Sequence, residues 1–454
     1  MKKNDISQTA RGVATRLATF CGMIAHLFAP TKKRAENNAV HAKTYLQGLL
    51  SETLRKNSEA IADAAQDTQS QDLQNFMTGS QWEHEDLFEH IAIQANQRIG
   101  NHPETMLAID ESGFSKKGTH SAGVARQYNG RLGKTDNCQV GVFSSLSNGA
   151  NAALIGARLL LPEEWQKDEE RCKKAGIPKD KITPATKIDF ARELIQQADD
   201  HGVQYARIGV DSFYGRDTAF LCWIADRGGE FYADTPKNTY IWLTKPTDEK
   251  RPTSPGKHGA IKVSDLSKEL DNKEKPAIIA IRDSENGPVT VTSTIRRVWI
   301  WNAKEAEPRE WWLLISKDQG GEIKHTLTNA ATTTTHKQLA IRQGQRHFIE
   351  RNFQNSKSHL GMSDYQMRQW TGWYRHMAMV ALAGLFVMEE RLLSGKQSLL
   401  STRDVVQILD WYFRESPTLE SIIEQVKKRH SRRKRATASK IKNLTKKQRD
   451  ILTE

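Results

Sequence analysis

The order of apolar and amphipathic segments in residues 105–236 limits most strongly what this chain can fold into. Three short apolar segments are followed by a helical segment, an apolar segment, a second helical segment and a further apolar segment. Short apolar runs bounded by turn residues are typical of strands, and the two helical segments end at Gly202 and Gly228. The first three strands are expected to form a meander. The order therefore predicts an α/β fold with mixed strand directions rather than regular βαβ units.

Composition separates this core from flanking regions. Residues 1–104 are rich in Ala, Gln, Leu, Glu and Lys and nearly free of Gly and Pro, which predicts helices. Residues 237–321 contain strand candidates separated by polar turns, which predicts a β-rich insertion. The predicted regions are N-terminal helices at 1–104, the core at 105–236 and 322–395, the insertion at 237–321, and C-terminal helices with a basic tail at 396–454.

The positive charge of the chain is concentrated near its C-terminal end. The formal net charge is +13, and residues 427–449 contain many Lys and Arg residues and no acidic residue. Such a segment is typical of an arm that lies on DNA phosphates, either disordered or as a helix induced by the DNA. The alternative is a solubilising end with only non-specific affinity for DNA.

The spacing of the cysteines and the length of the apolar runs indicate the cellular compartment in which the protein is expected. The four cysteines are widely spaced and show no CxxC or Cys/His pattern, so neither a structural zinc site nor a disulfide framework is predicted. The longest apolar run, residues 377–388, is too short to span a bilayer and is expected in a buried core helix. These features favour a cytoplasmic protein without a membrane segment.

Two apolar strand candidates end on an acidic residue. TMLAID ends on Asp110, before the Gly- and Lys-rich stretch ESGFSKKGTHSAG, which is predicted as a turn, and RIGVD ends on Asp211. The carboxyl end of a strand is a fixed position open to solvent, so catalytic residues are common there. For a single Asp the alternative is a turn or a helix cap. Two such sites favour the catalytic interpretation.

A third acid lies in the amphipathic segment RHFIERNFQNSKSHLG. One helix is predicted from Thr335 to a C-terminal cap at Gly361. At 100° per residue, Arg346, Glu350 and Lys357 lie within about 40° of one another, beside a narrow apolar stripe. The alternative is an ion pair on an exposed helix, worth about 0.3–0.5 kcal/mol. Because the charged stripe borders the core, Glu350 is predicted to be a functional carboxylate.

Three carboxylates brought together would repel one another and persist only around cations. Asp110, Asp211 and Glu350 are therefore predicted to bind Mg²⁺ or Mn²⁺, which prefer hard oxygen ligands. Two such ions about 4 Å apart would activate a water or a 3′-hydroxyl and stabilise the leaving oxygen in phosphodiester chemistry. Arg346 and Lys357 would then hold a phosphate beside the ions.

Basic residues in the stretch after Asp110 suit contacts with a DNA backbone. Glu111 is the weaker metal-ligand candidate, because neighbouring residues of a strand point to opposite sides. For each basic residue alone, the alternative is a solvated loop position. The candidates for DNA binding are Lys116, Lys117 and Arg126, accompanied by His120, Arg131 and Lys134.

The segments around these acids resemble those of DDE transposases, most closely the IS701-like group within the IS4-related transposases of bacterial insertion sequences. The resemblance is carried, in order, by AIDESGFSKKGTHSAGVARQYNGRLGKTDNCQVGVF, GVDSFYG and HFIERNFQNSKSHLGMSDYQMRQWTGWYRHMAMVALA. The IS4-related signature has Tyr, Arg, Glu and Lys at fixed spacing, and Arg346, Glu350 and Lys357 match it. Gln343 stands at the Tyr position, so the phosphate contact of that Tyr is not predicted here.

The resemblance implies an RNase H-like core, with the β-rich insertion between the second Asp and the Glu. It implies metal-dependent cleavage of double-stranded DNA at the terminal inverted repeats of an element, then attack of the 3′-hydroxyl on target DNA, with or without a hairpin. It also implies that the N-terminal helices bind element ends, that a homodimer holds the paired ends, and that the protein is associated with a bacterial nucleoid. Two alternatives stay open: an RNase H-like nuclease without strand transfer, and a non-catalytic DNA-binding repressor derived from a transposase.

Overall fold

The computed structural model describes residues 6–28, 32–53, 55–65, 67–130, 132–247, 259–273, 275–284, 287–302, 305, 307–393 and 400–413, together with Ser431 and Arg435. The α-helices in these ranges are α1 (Ile6–Ile24), α2 (Lys32–Leu49), α3 (Ser58–Ala65), α4 (Ser70–Thr78), α5 (His84–Ile99), α6 (Glu163–Gln166), α7 (Glu169–Lys174), α8 (Lys187–Asp200), α9 (Ser212–Gly215), α10 (Thr218–Asp226), α11 (Val263–Lys273), α12 (His336–Gln345), α13 (His347–His359), α14 (Trp370–Leu393) and α15 (Thr402–Phe413). The strands are β1 (Met106–Ser115), β2 (Ala125–Asn129), β3 (Lys134–Asn148), β4 (Asn151–Leu159), β5 (Arg207–Val210), β6 (Phe231–Asp234), β7 (Tyr240–Ile241), β8 (Ile261–Lys262), β9 (Ala277–Ser284), β10 (Gly287–Ile300), β11 (Arg309–Lys317) and β12 (Ile323–Thr328). Apart from Ser431 and Arg435, the predicted basic tail lies outside the described residues.

A sheet of ten strands, formed within the described residues, organises the fold. Its order is β2, β3, β1, β5, β6, β12, β11, β10 and β9, and β4 also pairs with β3. The pairs β1–β5 and β5–β6 are parallel. The other pairs in the sheet are antiparallel. The predicted α/β fold with mixed strand directions is confirmed.

The first strand is longer than its sequence pattern predicts. The turn predicted directly after Asp110 is wrong, because β1 continues to Ser115 and pairs with β3 along its whole length. The sequence pattern also misses β2, which pairs with the first residues of β3. Gly and Ser have low strand propensity, but the ladder of hydrogen bonds from β3 holds them extended. Asp110 therefore lies in the middle of a strand.

Helices cover both faces of this part of the sheet. Both α8 and α13 pack against β1, β3 and β4. Arg346, just before α13, has a nitrogen 3.5 Å from the Asp110 carboxylate, whereas Lys187 of α8 has its nitrogen 2.6 Å from the Glu111 carboxylate. Because neighbouring residues of a strand point to opposite faces, these contacts place α8 and α13 on opposite sides. Glu111 thus faces away from Asp110, as its strand position predicts.

The N-terminal region is helical, as predicted, and packs around a buried helix. Helices α1, α2, α4 and α5 contact α14. The apolar run at 377–388 lies within α14 and is buried except for Gly384, so it is the core helix that its length predicts. Among the residues that the structure describes, no helix is long and apolar enough to cross a membrane.

The strands of residues 277–317 belong to the same sheet as the core. β9, β10 and β11 are antiparallel neighbours, and β12 joins β11 to β6. The segment predicted as an insertion therefore extends the sheet beyond the strand that follows Asp211. This extension brings β12 and α12 close to the ends of the parallel strands.

A buried histidine joins the N-terminal helices to the core. His376 on α14 accepts a hydrogen bond from the Tyr45 hydroxyl at Nδ1 (2.8 Å) and donates one from Nε2 to the Gly361 carbonyl (3.1 Å). In this neutral tautomer both ring nitrogens of His376 have a hydrogen-bond partner. Protonation of Nδ1 would place its N–H against the Tyr45 hydroxyl, which already donates its own proton to Nδ1. Burial lowers the pKa of His376 to about 3.

Acid should destabilise the protein through this histidine. The folded-state pKa of His376 lies below the usual value of about 6.5. Its contribution to the free energy of unfolding is therefore fully present above a pH of about 6.5 and falls as the pH decreases toward about 3. The loss is about 1.4 kcal/mol per pH unit. Thermal melts from about pH 7 to about pH 5 should depend less on pH in His376→Gln than in the wild type, and equal slopes would contradict this role.

Candidate active site

Asp110 and Asp211 lie where the parallel pairing of β1 and β5 ends. The last pair of this ladder is Ile109↔Val210, so the two acids are the next residues on adjacent strands. Asp110 is only 9% exposed, and its Oδ1 accepts a hydrogen bond from the Glu111 amide at 2.7 Å. The parallel ladder therefore brings the first two predicted carboxylates next to each other at the point where the pairing of β1 and β5 ends.

Asp211 is fixed by the backbone of α9. Its carboxylate accepts hydrogen bonds from the amides of Phe213 (2.9 Å) and Tyr214 (3.3 Å) and so forms the N-cap of this short helix. Capping and function are compatible here, since the capped carboxylate lines the same cleft as Asp110. The cap sets the direction of a side chain that would otherwise be free to rotate.

The single helix predicted from Thr335 to Gly361 is wrong, because Arg346 separates α12 from α13. The predicted ends are confirmed: Thr335 caps α12 through a capping box, and Gly361 follows α13 with a positive φ of 71°. Gly344, a poor helix former, lies two residues before the break. The break places Arg346 at the start of α13, one turn before Glu350.

Arg346 is the centre of the site. Its three guanidinium nitrogens approach three different carboxylates: Nε lies 3.1 Å from Asp234, Nη1 3.5 Å from Asp110, and Nη2 2.7 Å from Glu350. Burial opposes the charge on the guanidinium. The carboxylates, led by Asp234 and Glu350, outweigh this effect and raise the pKa of Arg346.

Asp110 and Asp211 line one cleft of about 680 Å³, and Arg346 and Glu350 line the same cleft. Burial, followed by the neighbouring carboxylate of Asp211, raises the pKa of Asp110 above its usual range. Burial also raises the pKa of Asp211. Negative charge is therefore costly here, even beside a guanidinium. A site of this kind suits a bound cation, because the cation would stabilise the ionised carboxylates.

The sequence interpretation missed Asp234, which lies beside the predicted acids. The parallel ladder of β5 and β6 ends at Val210↔Ala233, so Asp234 lies level with Asp211. FYAD is a further apolar segment that ends on an acid, and this is the signal that predicts Asp110 and Asp211. The same rule, applied to every strand, would have found it.

Gln343 supports Asp234 through a threonine. The Gln343 amide donates a hydrogen bond to Thr326 Oγ1 at 2.6 Å, and this hydroxyl donates to Asp234 Oδ1 at 2.5 Å. The residue at the Tyr position of the transposase signature thus contacts the strand β12, which pairs with β6. These contacts give the departure from the signature a structural role.

Lys357 lies farther along β1 than the acids. Its Nζ donates to the Gly113 carbonyl at 3.1 Å and lies 5.1 Å from the centre of the Phe114 ring. The charged stripe predicted correctly that Lys357 lies on the face of α13 directed at the sheet. Two turns of the helix nevertheless separate Lys357 from Glu350. Lys357 thus contacts β1 three residues beyond Asp110.

The other predicted DNA-binding residues that the structure describes lie outside the cleft. Lys116 Nζ lies 3.4 Å from the centre of the Tyr365 ring and donates to the Tyr365 carbonyl at 3.2 Å. Burial lowers the pKa of Lys116 to about 8. Lys117 and Arg126 are exposed. Arg131 lies outside the described residues.

The three predicted metal ligands are not gathered at coordinating distances from one another. Within the described part of the chain, one group of three candidate ligands has its atoms all within 4.8 Å, and it consists of the consecutive residues Glu83, His84 and Glu85. In the cleft, the Arg346 guanidinium contacts Glu350 through Nη2 and contacts Asp110 and Asp234 through its other two nitrogens. Cation binding by the triad thus requires Glu350 to leave its contact with Arg346.

Comparisons with known proteins agree with the sequence resemblance. A family model described as "DDE superfamily endonuclease" matches residues 26–288, more than half of the chain, including Asp110 and Asp211 but not Glu350. A curated protein, "Probable transposase for insertion sequence element IS701" from Microchaete diplosiphon, is 33% identical over 168 residues, which is 37% of this chain and 41% of the relative. The match thus spans about two fifths of the relative's length. The resemblance to IS701-like transposases is confirmed.

Solved structures also match this chain, and the similarity of the following one is weak. The NurA nuclease from Sulfolobus solfataricus aligns with a TM-score of 0.26 and 9% identity, covering 62% of this chain and 89% of that one. A TM-score of this size supports no conclusion about a shared fold.

Proposed function

Because this chain belongs to the DDE superfamily endonucleases, we propose that it is the transposase of an insertion sequence, which cleaves DNA at element ends and transfers the 3′-hydroxyl to target DNA. One observation carries the proposal: Asp110 and Asp211, which directly follow the last parallel pair of β1 and β5, line the same cleft as Glu350. The curated relative of the IS701 element supports the same function.

An RNase H-like core fits this function. In the order β4, β3, β1, β5, β6, the first three strands are antiparallel and the last two are parallel to β1. This is the arrangement expected of such a core, and it supports the proposed fold. The proposed domains are an N-terminal end-binding region (1–104), two core parts (105–236 and 322–395), an insertion (237–321) and a C-terminal region (396–454).

Membership of the family implies dependence on a divalent metal, and we propose two Mg²⁺ or Mn²⁺ ions held by Asp110, Asp211 and Glu350. The donors are hard carboxylate oxygens, and the costly negative charge of the cleft favours a cation. When bound, such ions would activate the attacking oxygen and stabilise the leaving one. The cap on Asp211 and the buried strand position of Asp110 hold two of the three ligands in place before any substrate arrives.

The cationic side chains would hold DNA around this cleft. Arg346 is already fixed beside the carboxylates, and a planar guanidinium suits a phosphate. Lys357 would bind a phosphate farther along β1, while the exposed Lys117 and Arg126 would contact the backbone outside the cleft. Lys116 packs on Tyr365 and would have to leave this ring to bind DNA.

The proposed partners are the terminal inverted repeats of the element and the target DNA. Two ends must be cut and joined together, which suggests a homodimer. The basic tail would add affinity for DNA phosphates. We propose that the protein acts on this DNA in the bacterial cytoplasm, in association with the nucleoid.

A strand-transfer assay tests the function. The full chain is incubated with Mg²⁺, labelled duplexes carrying the DNA that flanks its reading frame, and a target plasmid. We expect labelled ends joined to the plasmid. Cleavage without joining would show that the protein is a nuclease rather than a transposase. Binding without cleavage would show that it is a DNA-binding repressor.

A further inference from the structure

Asp234 contacts Arg346 in a way that decides where the rest of the guanidinium points. Its Oδ2 lies 3.1 Å from Arg346 Nε, the nitrogen nearest the aliphatic part of the side chain. Fixing Nε in a planar guanidinium leaves little freedom for Nη1 and Nη2, which lie 3.5 Å from Asp110 and 2.7 Å from Glu350. Asp234 therefore orients a cation that two proposed metal ligands also contact.

Asp234 is itself held on several sides. Thr326 donates to its Oδ1 at 2.5 Å, and Gln343 donates to the Thr326 hydroxyl at 2.6 Å. The carboxylate lies at the end of a strand with parallel pairing on one side and antiparallel pairing on the other. Such supporting hydrogen bonds orient a side chain more firmly than a single surface ion pair.

We propose that Asp234 is a positioning residue that holds Arg346 by Nε, so that Asp110 and Glu350 can exchange the guanidinium for divalent cations while Arg346 stays beside the cleft. Without Asp234, the guanidinium would be shared by fewer carboxylates and would pair more fully with Asp110 and Glu350. The bound cation would then compete with a stronger internal ion pair. Gln343 and Thr326 orient Asp234 for this task. The inference rests on the proposed function in that Asp110 and Glu350 are taken as cation ligands.

Binding of Mn²⁺ to the full chain, measured by isothermal titration calorimetry without DNA, tests this role. We expect Asp234→Ala to weaken Mn²⁺ binding about tenfold, the lower end of the effect of residues that support metal ligands. Asp234→Asn keeps an oxygen for Nε and should restore most of the affinity. Thr326→Val, which removes one support of Asp234, should shift the affinity in the same direction as Asp234→Ala but by less.

A second background separates positioning from direct coordination. In Arg346→Ala, the competing cation is absent, so adding Asp234→Ala should change the affinity for Mn²⁺ much less than it does in the wild type. An equal loss in both backgrounds would make Asp234 a direct ligand and overturn the proposal. No loss in either background would also overturn it.

Two controls show whether a loss of Mn²⁺ affinity comes merely from misfolding or from the change in net charge. Asp226→Ala removes a carboxylate that pairs with Arg309 (2.6 Å) outside the cleft, and it should leave Mn²⁺ affinity unchanged. Circular dichroism melts identify any variant that fails to fold; if Asp234→Ala does not fold, Thr326→Val, which removes a hydrogen bond to Asp234, takes its place in both backgrounds. Because no DNA is present, a negative strand-transfer assay would remove the proposed function without changing this pattern.

Discussion

Glu350→Gln should reduce DNA cleavage by at least about 100-fold. This is the upper end of the loss for residues that only support a metal ligand, and Glu350 is proposed to be a ligand itself. The amide has nearly the same shape as the carboxylate but lacks the charge that a divalent cation requires. Glu350 lies on the cleft with a side chain that is 45% exposed, and the amide oxygen of Gln can still accept a hydrogen bond from the buried Arg346 guanidinium. Cleavage of labelled element ends in Mg²⁺ measures the effect.

DNA binding distinguishes loss of chemistry from loss of structure. Removing a negative charge near DNA should leave affinity in a gel-shift assay unchanged or slightly higher. The matched control is Glu389→Gln, which removes a carboxylate paired with Arg98 (2.9 Å) away from the cleft. This control should cleave like the wild type. Cleavage by Glu350→Gln at the wild-type rate would remove Glu350 from the proposed triad.

Gly215→Ala should lower both stability and cleavage, although the change adds one methyl group. Gly215 ends α9, the helix that Asp211 caps, and a Cβ there would lie 1.9 Å from the Asp234 carbonyl oxygen. This contact is with backbone, so α9 and β6 must move apart. Overpacking of this kind costs about 1–3 kcal/mol, and a shift of about 1 Å at a reacting centre can cost about 100-fold in rate.

Thermal melts and the cleavage assay measure the two effects of Gly215→Ala together. The control is Gly22→Ala, in α1, where a Cβ would meet nothing within 4 Å. Alanine favours a helix interior over glycine by about 0.5–1 kcal/mol, so this control should be neutral or slightly stabilising. If Gly215→Ala melts and cleaves like the wild type, the close packing of α9 on β6 does not position Asp211.

The sequence patterns predicted the strand and helix order well but misjudged where elements end. Periodicity reports which residues face a core, whereas the length of a strand depends on its partner. β1 passes through Gly113 because β3 pairs with it to Ser115. Likewise, the periodicity of residues 335–361 continues across Arg346, and only the structure shows two helices there.

The sequence by itself determined the class of fold and the family, and it predicted three carboxylates and an arginine as site residues. These follow from local order: short apolar segments, the acids that end them, and fixed spacing along a helix. Only the tertiary structure decided what these residues contact. Asp234 joins the site because β6 pairs with β5, and Gln343 reaches it because β12 pairs with β6. Such contacts between residues distant in sequence arise from strand pairing and packing, which no local pattern records.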